Sequence, residues 1–371
     1  MTDIETGRPS TGARVKAWFS FRNIGAVYIW VAIVVIFAIW VPDQFLNWAV
    51  WRSLIDINSI NAIVAIAVLF PLASGAFDLA VGAEVGLGSI LVAWLLSQQH
   101  MAIAPAIVLV ALAGAAVGVV SGLLIVRARI ESIIATLGMS SILLAFTRWI
   151  SADQQILNLG NHFQTIATKR IFGVTSSTWL MLIIAVVVWY VLERTTIGRR
   201  VYATGGNIQT ARLAGVRTPV VVVLCLATCG VIASFAGVLS ASQLAVGDPT
   251  IGPPFLLPAY AAALLGSTQF RGGRYNVPGT VVAIYVLATG IKGLQLVGAP
   301  AWIPDLFNGV ALLAAVGVAM HQRVSRRPEG KRGWHFPGRR QPPAVEELRE
   351  EQLHRVPTDR LPEQKEASVD P

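Results

Sequence analysis

Apolar runs of about 20 residues recur from Ile24 to Met320, and this recurrence constrains the chain more than any other feature. A hydrocarbon core offers no water to backbone N–H and C=O groups. Segments of this kind therefore cross it as helices whose hydrogen bonds are internal. Ten segments can be placed, at 24–41, 53–74, 83–96, 102–126, 133–150, 179–192, 220–241, 255–265, 277–296 and 302–320. The eighth is short and enters only part-way. Ser74 to Gly82 is a break inside apolar sequence, and 151–176 is the longest loop outside the cytoplasm. Only 13% of residues are charged, against about a quarter in soluble domains. The expectation is an all-α polytopic membrane protein of about ten transmembrane segments, some short or broken.

Charge fixes the orientation. With the N-terminus inside, the cytoplasmic pieces hold 24 of the 29 lysines and arginines, the others being Arg52, Arg148, Lys169, Arg170 and Lys292. The net charge of +9 is thus a topology signal and not a nucleic-acid footprint. The chain divides into a cytoplasmic arm (1–23), a membrane domain (24–321) and a charged, proline-containing tail (322–371) without apolar periodicity, expected to be cytoplasmic and disordered. Met1 to Arg22 lacks an apolar stretch with a cleavage site, so no signal peptide is expected. Cys225 and Cys229 are the only cysteines. One helical turn apart, they make an improbable disulfide. Without histidines they make a poor metal site, so no metal is expected and small core packing is favoured.

A polar stretch between two spans runs from Glu193 to Arg217 and contains five arginines. Asn207 is placed to cap a short helix over 208–214, and Gly215 to end it in a left-handed conformation. A small-residue helix flanked by arginines suits the docking of a soluble partner. A basic inter-helix loop with no further role has the same charge.

The pattern G-R-x-x-x-A-x-G-G-N-x-x-x-A-R-L-A-G-V, Gly198 to Val216, resembles the coupling loop of the ribose/xylose-type permease subunits of ABC importers. Ala73 to Gly82 resembles that family's T-G-G-I-D-L-S-V-G stretch, with Ala76 in place of a glycine. Ser132 to Ser140 resembles its P-x-F-I-A-T-L-G stretch, and there Ser132 is expected to cap a helix and Ala135, Gly138 and Ser141 to form a packing face. Pro258 to Thr280 resembles its D-A-I-A-A…G-G-T…G-G-x-G stretch, departing at Pro258, where the family has an acid, and at Arg274-Tyr275-Asn276. The resemblance spans about 25–322, with the motifs in order.

The resemblance implies a permease dimer, homo- or hetero-, working by alternating access. Its partners would be cytosolic ABC ATPase subunits, an extracytoplasmic substrate-binding protein and the lipid bilayer, with no nucleic acid. The cargo would be a monosaccharide or related polyol. ATP and Mg2+ would bind the partner ATPase, leaving this chain without a cofactor. The coupling loop, 194–217, would carry Gly198, Arg199, Gly206, Asn207, Ala211, Arg212 and Gly215, and a bulky charge at Ala211 is expected to uncouple transport without unfolding the protein.

Polar groups inside apolar spans are candidates for a translocation path: Asn58, Asn61, Asp78, Glu84 and Gln243, with Asp56, Arg148 and Lys292. Each has an interhelical hydrogen bond or an interfacial position as its structural alternative. For Asp78 the alternative is a helix cap. The chain holds no Gly-x-x-x-x-Gly-Lys-Ser/Thr loop, no histidine metal spacing and no Gly-x-Ser-x-Gly elbow. Rival readings are a permease for branched-chain amino acids or nucleosides, an ATP-independent carrier or channel, and an integral-membrane enzyme.

Overall fold

The computed structural model describes residues 21–268 and 273–324. The arm before Phe21, the tail after Val324 and Arg271 lie outside the described residues. Helix α1 (Phe21–Trp40) leads through one turn, α2 (Pro42–Phe45), into α3 (Trp48–Ala67), which Asn47 caps by accepting from the Ala49 N–H. Helical regularity lapses at Val68 and resumes in α4 (Leu69–Ser74). Pro71 has no N–H to offer the Ala67 carbonyl, which accounts for the lapse. Then follow α5 (Val81–Ser97), α6 (Ile103–Val126) and α7 (Ser132–Ser151). The loop expected at 151–176 contains a short helix, α8 (Asn161–Thr168), and a hairpin of β1 (Arg170–Ile171) and β2 (Val174–Thr175).

Helix α9 (Ser176–Arg194) enters the polar stretch. This stretch was expected to hold one short helix and contains two: α10 (Thr196–Gly206) and α11 (Ile208–Leu213). Thr195 starts α10 by accepting from the Gly198 N–H, and α10 buries Gly198, Val201 and Thr204, one flank at helical spacing. The long α12 (Thr218–Leu244) is followed by a 3-10 turn (Pro253–Phe255), α13 (Leu256–Ser267), α14 (Val277–Leu296) and α15 (Ile303–Val324).

Among the described residues, six helical segments are long and apolar enough to cross a bilayer: Trp48–Ser74, Ile103–Val126, Ser132–Ser151, Ser176–Arg194, Thr218–Leu244 and Val277–Leu296. Shorter apolar helices are Val27–Trp40, Val81–Ser97 and Ile303–Gly317. Among the described residues the regular structure is helical apart from the small hairpin, and the protein is polytopic.

Packing runs from small residues inward to large apolar ones outward. Helix α6 buries Ala106, Gly114, Gly118, Ser121 and Gly122, and exposes Val108, Leu109, Leu112, Val119 and Leu123. In lipid, helices gain little from hiding apolar surface from one another; close backbone approach and dispersion hold them together. Helix α12 lies along α6 and α5 and also meets α3, α4 and α8. A Cβ added at Gly118 would stand 2.2 Å from the Leu226 carbonyl oxygen of α12. Helix α7 differs from its expected packing face. Ala135 is buried, but Gly138 and Ser141 are exposed, and the buried side is completed by Thr136, Met139, Leu143 and Thr147. The outer flank carries Ile134, Leu137, Ile142, Phe146 and Trp149, so Gly138 and Ser141 lie among side chains left facing outward.

Gly118→Val should lower the unfolding midpoint of the detergent-purified chain, at a cost of about 1–3 kcal/mol or more. Gly138→Ala, where an added Cβ meets nothing within 4 Å, should leave it unchanged or raise it. Equal midpoints for Gly118→Val and wild type would refute this packing.

Candidate functional site

The break between α4 and α5 sets six successive backbone N–H groups outside any helix ladder, and each finds an acceptor. Gly75, left-handed at φ 87, donates to Leu72 O, and Ala76 donates to Pro71 O. Phe77 N–H donates to Ser132 Oγ at 3.2 Å, Asp78 N–H to Tyr260 Oη at 2.8 Å and Leu79 N–H to Thr136 Oγ1 at 3.1 Å. Ala80 N–H donates to Asp78 Oδ1 at 3.2 Å. Asp78 does not cap α5: the N-cap position belongs to Ala80, and Asp78 Oδ1 instead closes a turn at the Ala80 N–H just ahead of the helix. Ser132 does not cap α7: the N-cap position belongs to Glu131, and the Ser132 hydroxyl is committed to Phe77. Tyr260 and Thr136 were not singled out as acceptors, since nothing in their spacing says which backbone group comes to meet them.

Asp78 and Glu84 are fully buried, and their carboxylates lie with the Cys229 thiol in a cluster whose ligand atoms are all within 4.8 Å. Asp78 Oδ2 and both Glu84 carboxylate oxygens have no hydrogen-bond partner. Cys225 and Cys229 are both free and buried.

The polar stretch seats directly on this break. A Cβ at Gly205 would come 2.2 Å from the Ala73 carbonyl oxygen, so α10 meets the end of α4 backbone to backbone. A cavity of about 420 Å3 opens beside the contact, lined by Gly75, Phe77, Tyr202, Gly206 and Arg274 among others. Tyr202 donates its hydroxyl to Tyr275 O at 2.6 Å, the Arg274 guanidinium lies 3.6 Å from the Tyr202 ring centroid, and Asn276 caps α14 at Gly279 N. Arg274-Tyr275-Asn276, which depart from the family pattern, thus fasten α10 and start α14.

Asn207 caps α11 as expected, its Oδ1 accepting from Gln209 and Thr210 N–H at 3.0 Å. Gly215 adopts φ 80. Arg199, Gly206, Asn207, Arg212 and Gly215 are exposed, and Arg212 Nε is steadied by Thr218 Oγ1 at 2.9 Å. Ala211 and Gly198 are different. Ala211 is 4% exposed and faces its own chain. A Cβ at Gly198 would lie 2.0 Å from Leu192 O. A charge at Ala211 would therefore be forced into the interior, and the expectation that it acts without disturbing the fold is withdrawn. The residue that stands out is Leu213, 91% exposed at the end of α11, which sequence reading passed over as one more apolar position.

The other path candidates are dispersed. Asn58 donates to Leu54 O and accepts from Asn61, beside a cavity of about 160 Å3 that Lys292 also lines. Asp56 accepts from Thr175 and Thr178, tying α3 to the hairpin and α9. Gln243 is half-buried near the end of α12. Arg148 lies near Asp153, at 3.6 Å, both exposed. Beyond α12, Asp248 clasps two loops: it accepts from Thr250 N and Oγ1 and from Gln155 Nε2, next to paired backbone bonds between Ile156 and Gly247. Partial burial alone would raise the Asp248 carboxyl. The hydrogen bonds from Thr250 and Gln155 outweigh it and hold the group below its ordinary value.

Apolar flanks facing outward around a polar break define a multi-pass membrane protein. Residues 53–316 match the family described as "Branched-chain amino acid transport system / permease component", and the chain belongs to that family. It is 30% identical over 268 residues to the ribose import permease protein RbsC of Escherichia coli K12, covering 71% of this chain and 83% of the relative. It is 28% identical over 318 residues to the L-arabinose ABC transporter permease protein AraH of Azospirillum brasilense (85% and 92%). To the D-allose transport system permease protein AlsC of E. coli K12 it is 26% identical over 317 residues (84% and 97%). No solved structure matches the chain.

Tyr260→Phe removes the acceptor of a buried N–H and should cost about 1–3 kcal/mol in thermal or denaturant unfolding. Wild-type stability in that variant would break the assignment of the hydroxyl to the break. The Asp248 clasp has a pH signature. A carboxyl held below its ordinary value of 3.8 stabilises the clasp fully above that pH and loses it as pH falls through the lowered value. Amide protection in 151–160, corrected for intrinsic exchange, should fall in that window for wild type and be pH-independent in Asp248→Asn.

Proposed function

We propose that this chain is the membrane-spanning subunit of an ATP-driven, binding-protein-dependent importer for a monosaccharide or related polyol. The observation that carries this reading is the pairing of an outward-facing α11, with Leu213 and Arg212 presented to solvent, and an α10 seated through Gly205 on the break at Gly75. One side of the polar stretch is free to receive a partner, and the other touches the polar centre of the membrane domain. The curated relatives above are named for ribose, arabinose and allose, which favours a hydroxyl-rich cargo over the branched-chain amino acids of the family description or over nucleosides.

In this reading the chain crosses the bacterial inner membrane ten times with both termini cytoplasmic, the arm 1–23 and the tail 322–371 lying on that side. It pairs with a second permease subunit and receives cargo from an extracytoplasmic binding protein. Cytosolic ATPase subunits bind ATP and Mg2+ and dock on 194–217. Arg199, Gly206, Asn207, Arg212 and Gly215 belong to the docking side. Gly198 and Ala211 hold that side in shape. ATP-driven closure of the ATPases moves α11 and α10 together, and the contact at Gly75 carries that movement to the break. Asp78 and Glu84 are closed off in this conformation, so any contact with cargo belongs to another conformation of the cycle.

Leu213→Asp tests the docking without burying a charge. In a mild-detergent pull-down from native membranes, wild type should bring down a cytosolic ATPase. Leu213→Asp should recover about tenfold less, with uptake of labelled sugar falling in parallel. Full recovery and uptake by Leu213→Asp would move the contact elsewhere. Transport by wild type with no ATPase recovered, and with dependence on an ion gradient, would replace the importer by a secondary carrier.

A further inference from the structure

We propose that Asp78, Glu84 and Cys229 hold one divalent, thiophilic cation of the zinc class inside the membrane domain. Three separate parts of the chain supply the ligands. Asp78 comes from the break, Glu84 from the first turn of α5 and Cys229 from the middle of α12. One ligand atom from each falls within 4.8 Å of the other two, and all three residues are buried.

The free valences point inward. Asp78 commits Oδ1 to the Ala80 N–H and leaves Oδ2 without a partner, while Glu84 leaves both oxygens without one. No basic side chain among the described residues lies within ion-pair distance of Asp78 or Glu84. A further donor stands close by. A Cβ at Gly230 would come 3.2 Å from Glu84 Oε1, and one at Gly114 would come 2.3 Å from both Gly230 O and Ser234 Oγ. The Ser234 hydroxyl, buried and also without a partner, therefore borders the same crossing.

Two neighbouring carboxylates out of reach of water each cost several kcal/mol unless their charge is cancelled. A divalent ion cancels both at once. A proton shared between the acids would cancel one charge only. A thiol converging on two carboxylates instead makes the mixed sulfur and oxygen donor set that zinc and cadmium accept. Binding would release the thiol proton wherever sulfur ligates as thiolate. The ion would tie the break to α12, the helix around which α5 and α6 pack, and so fix the segment that α10 touches. The site stands independently of which solute the protein carries.

The full chain, purified in mild detergent and stripped with chelator, is titrated with Cd2+ alone. Bound metal is counted by elemental analysis, and the thiolate-to-cadmium absorption is followed in the ultraviolet. One metal per chain with that absorption is the expected result. Both cysteines are buried and free, so the band reports on few places. Cys229→Ser should abolish the band, Glu84→Gln should weaken binding about tenfold or more, and Cys225→Ser should leave both readouts intact. Wild type without bound metal overturns the proposal, as does a band that survives Cys229→Ser. A protonated-carboxyl infrared band that persists in wild type at saturating Cd2+ and disappears in Glu84→Gln would assign the acids to a shared proton and also overturn it. The wild-type titration decides the matter even if a variant fails to fold.

Discussion

A chain that breaks a helix within an apolar membrane domain must supply an acceptor for every N–H it sets free, and the rest of this structure is arranged around that requirement. Between Gly75 and Ala80 the turn itself serves two N–H groups, the Asp78 carboxylate a third, and three hydroxyls from other helices the remainder. Each unmet group would cost on the order of 1–3 kcal/mol. Tyr260 can reach Asp78 only if α13 lies where it does, and Ser132 and Thr136 only if the first turn of α7 abuts the break. Two helices, α7 and α13, are thereby registered by hydrogen bonds to one short segment, in an environment where apolar surface alone discriminates poorly between helix positions.

The second ordering principle is backbone proximity. Gly118 against Leu226, Gly114 against Gly230 and Gly205 against Ala73 are places where a methyl group would not fit. Such contacts specify position sharply because dispersion falls steeply with distance and overlap is costly. They also explain the outward distribution of bulk, since the long side chains of α6 and α9 are left for lipid once the small ones have taken the interfaces.

Much of this was legible in the sequence because it depends on local chemistry. Apolar length gave the spans, often to within three residues. Asn207 and Gly215 marked the two ends of α11, and Gly75 with Asp78 marked the break. What was illegible lies between elements. Thr196 to Gly206 looked like loop because its glycines are poor helix formers, yet Gly205 is required for contact with α4. Ala211 and Leu213 are both small or apolar residues on one short helix, and only the neighbouring elements decide that the first is inside and the second outside. Cys229 was read with Cys225 because they are close in sequence, whereas its chemical neighbours are two acids about 150 residues away.

Contiguity bears on how force would cross the molecule. From Leu213 the path runs through α11 into α10, across the Gly205–Gly75 contact and into a break whose hydrogen bonds reach α7 and α13. No long flexible side chain intervenes at the Gly205–Gly75 step, so displacement of α10 cannot be absorbed there by a change of rotamer. It must either move the break or separate two backbones already in contact. Arg274 and Tyr275 clamp α10 through Tyr202, one turn before Gly205, which disfavours separation. The break is the softer partner, because short hydroxyl-mediated bonds rearrange at lower cost than a helix ladder unwinds. Under the proposed function, movement delivered at α11 would be expressed at the buried pair Asp78 and Glu84, where a change of shape would most alter the chemistry.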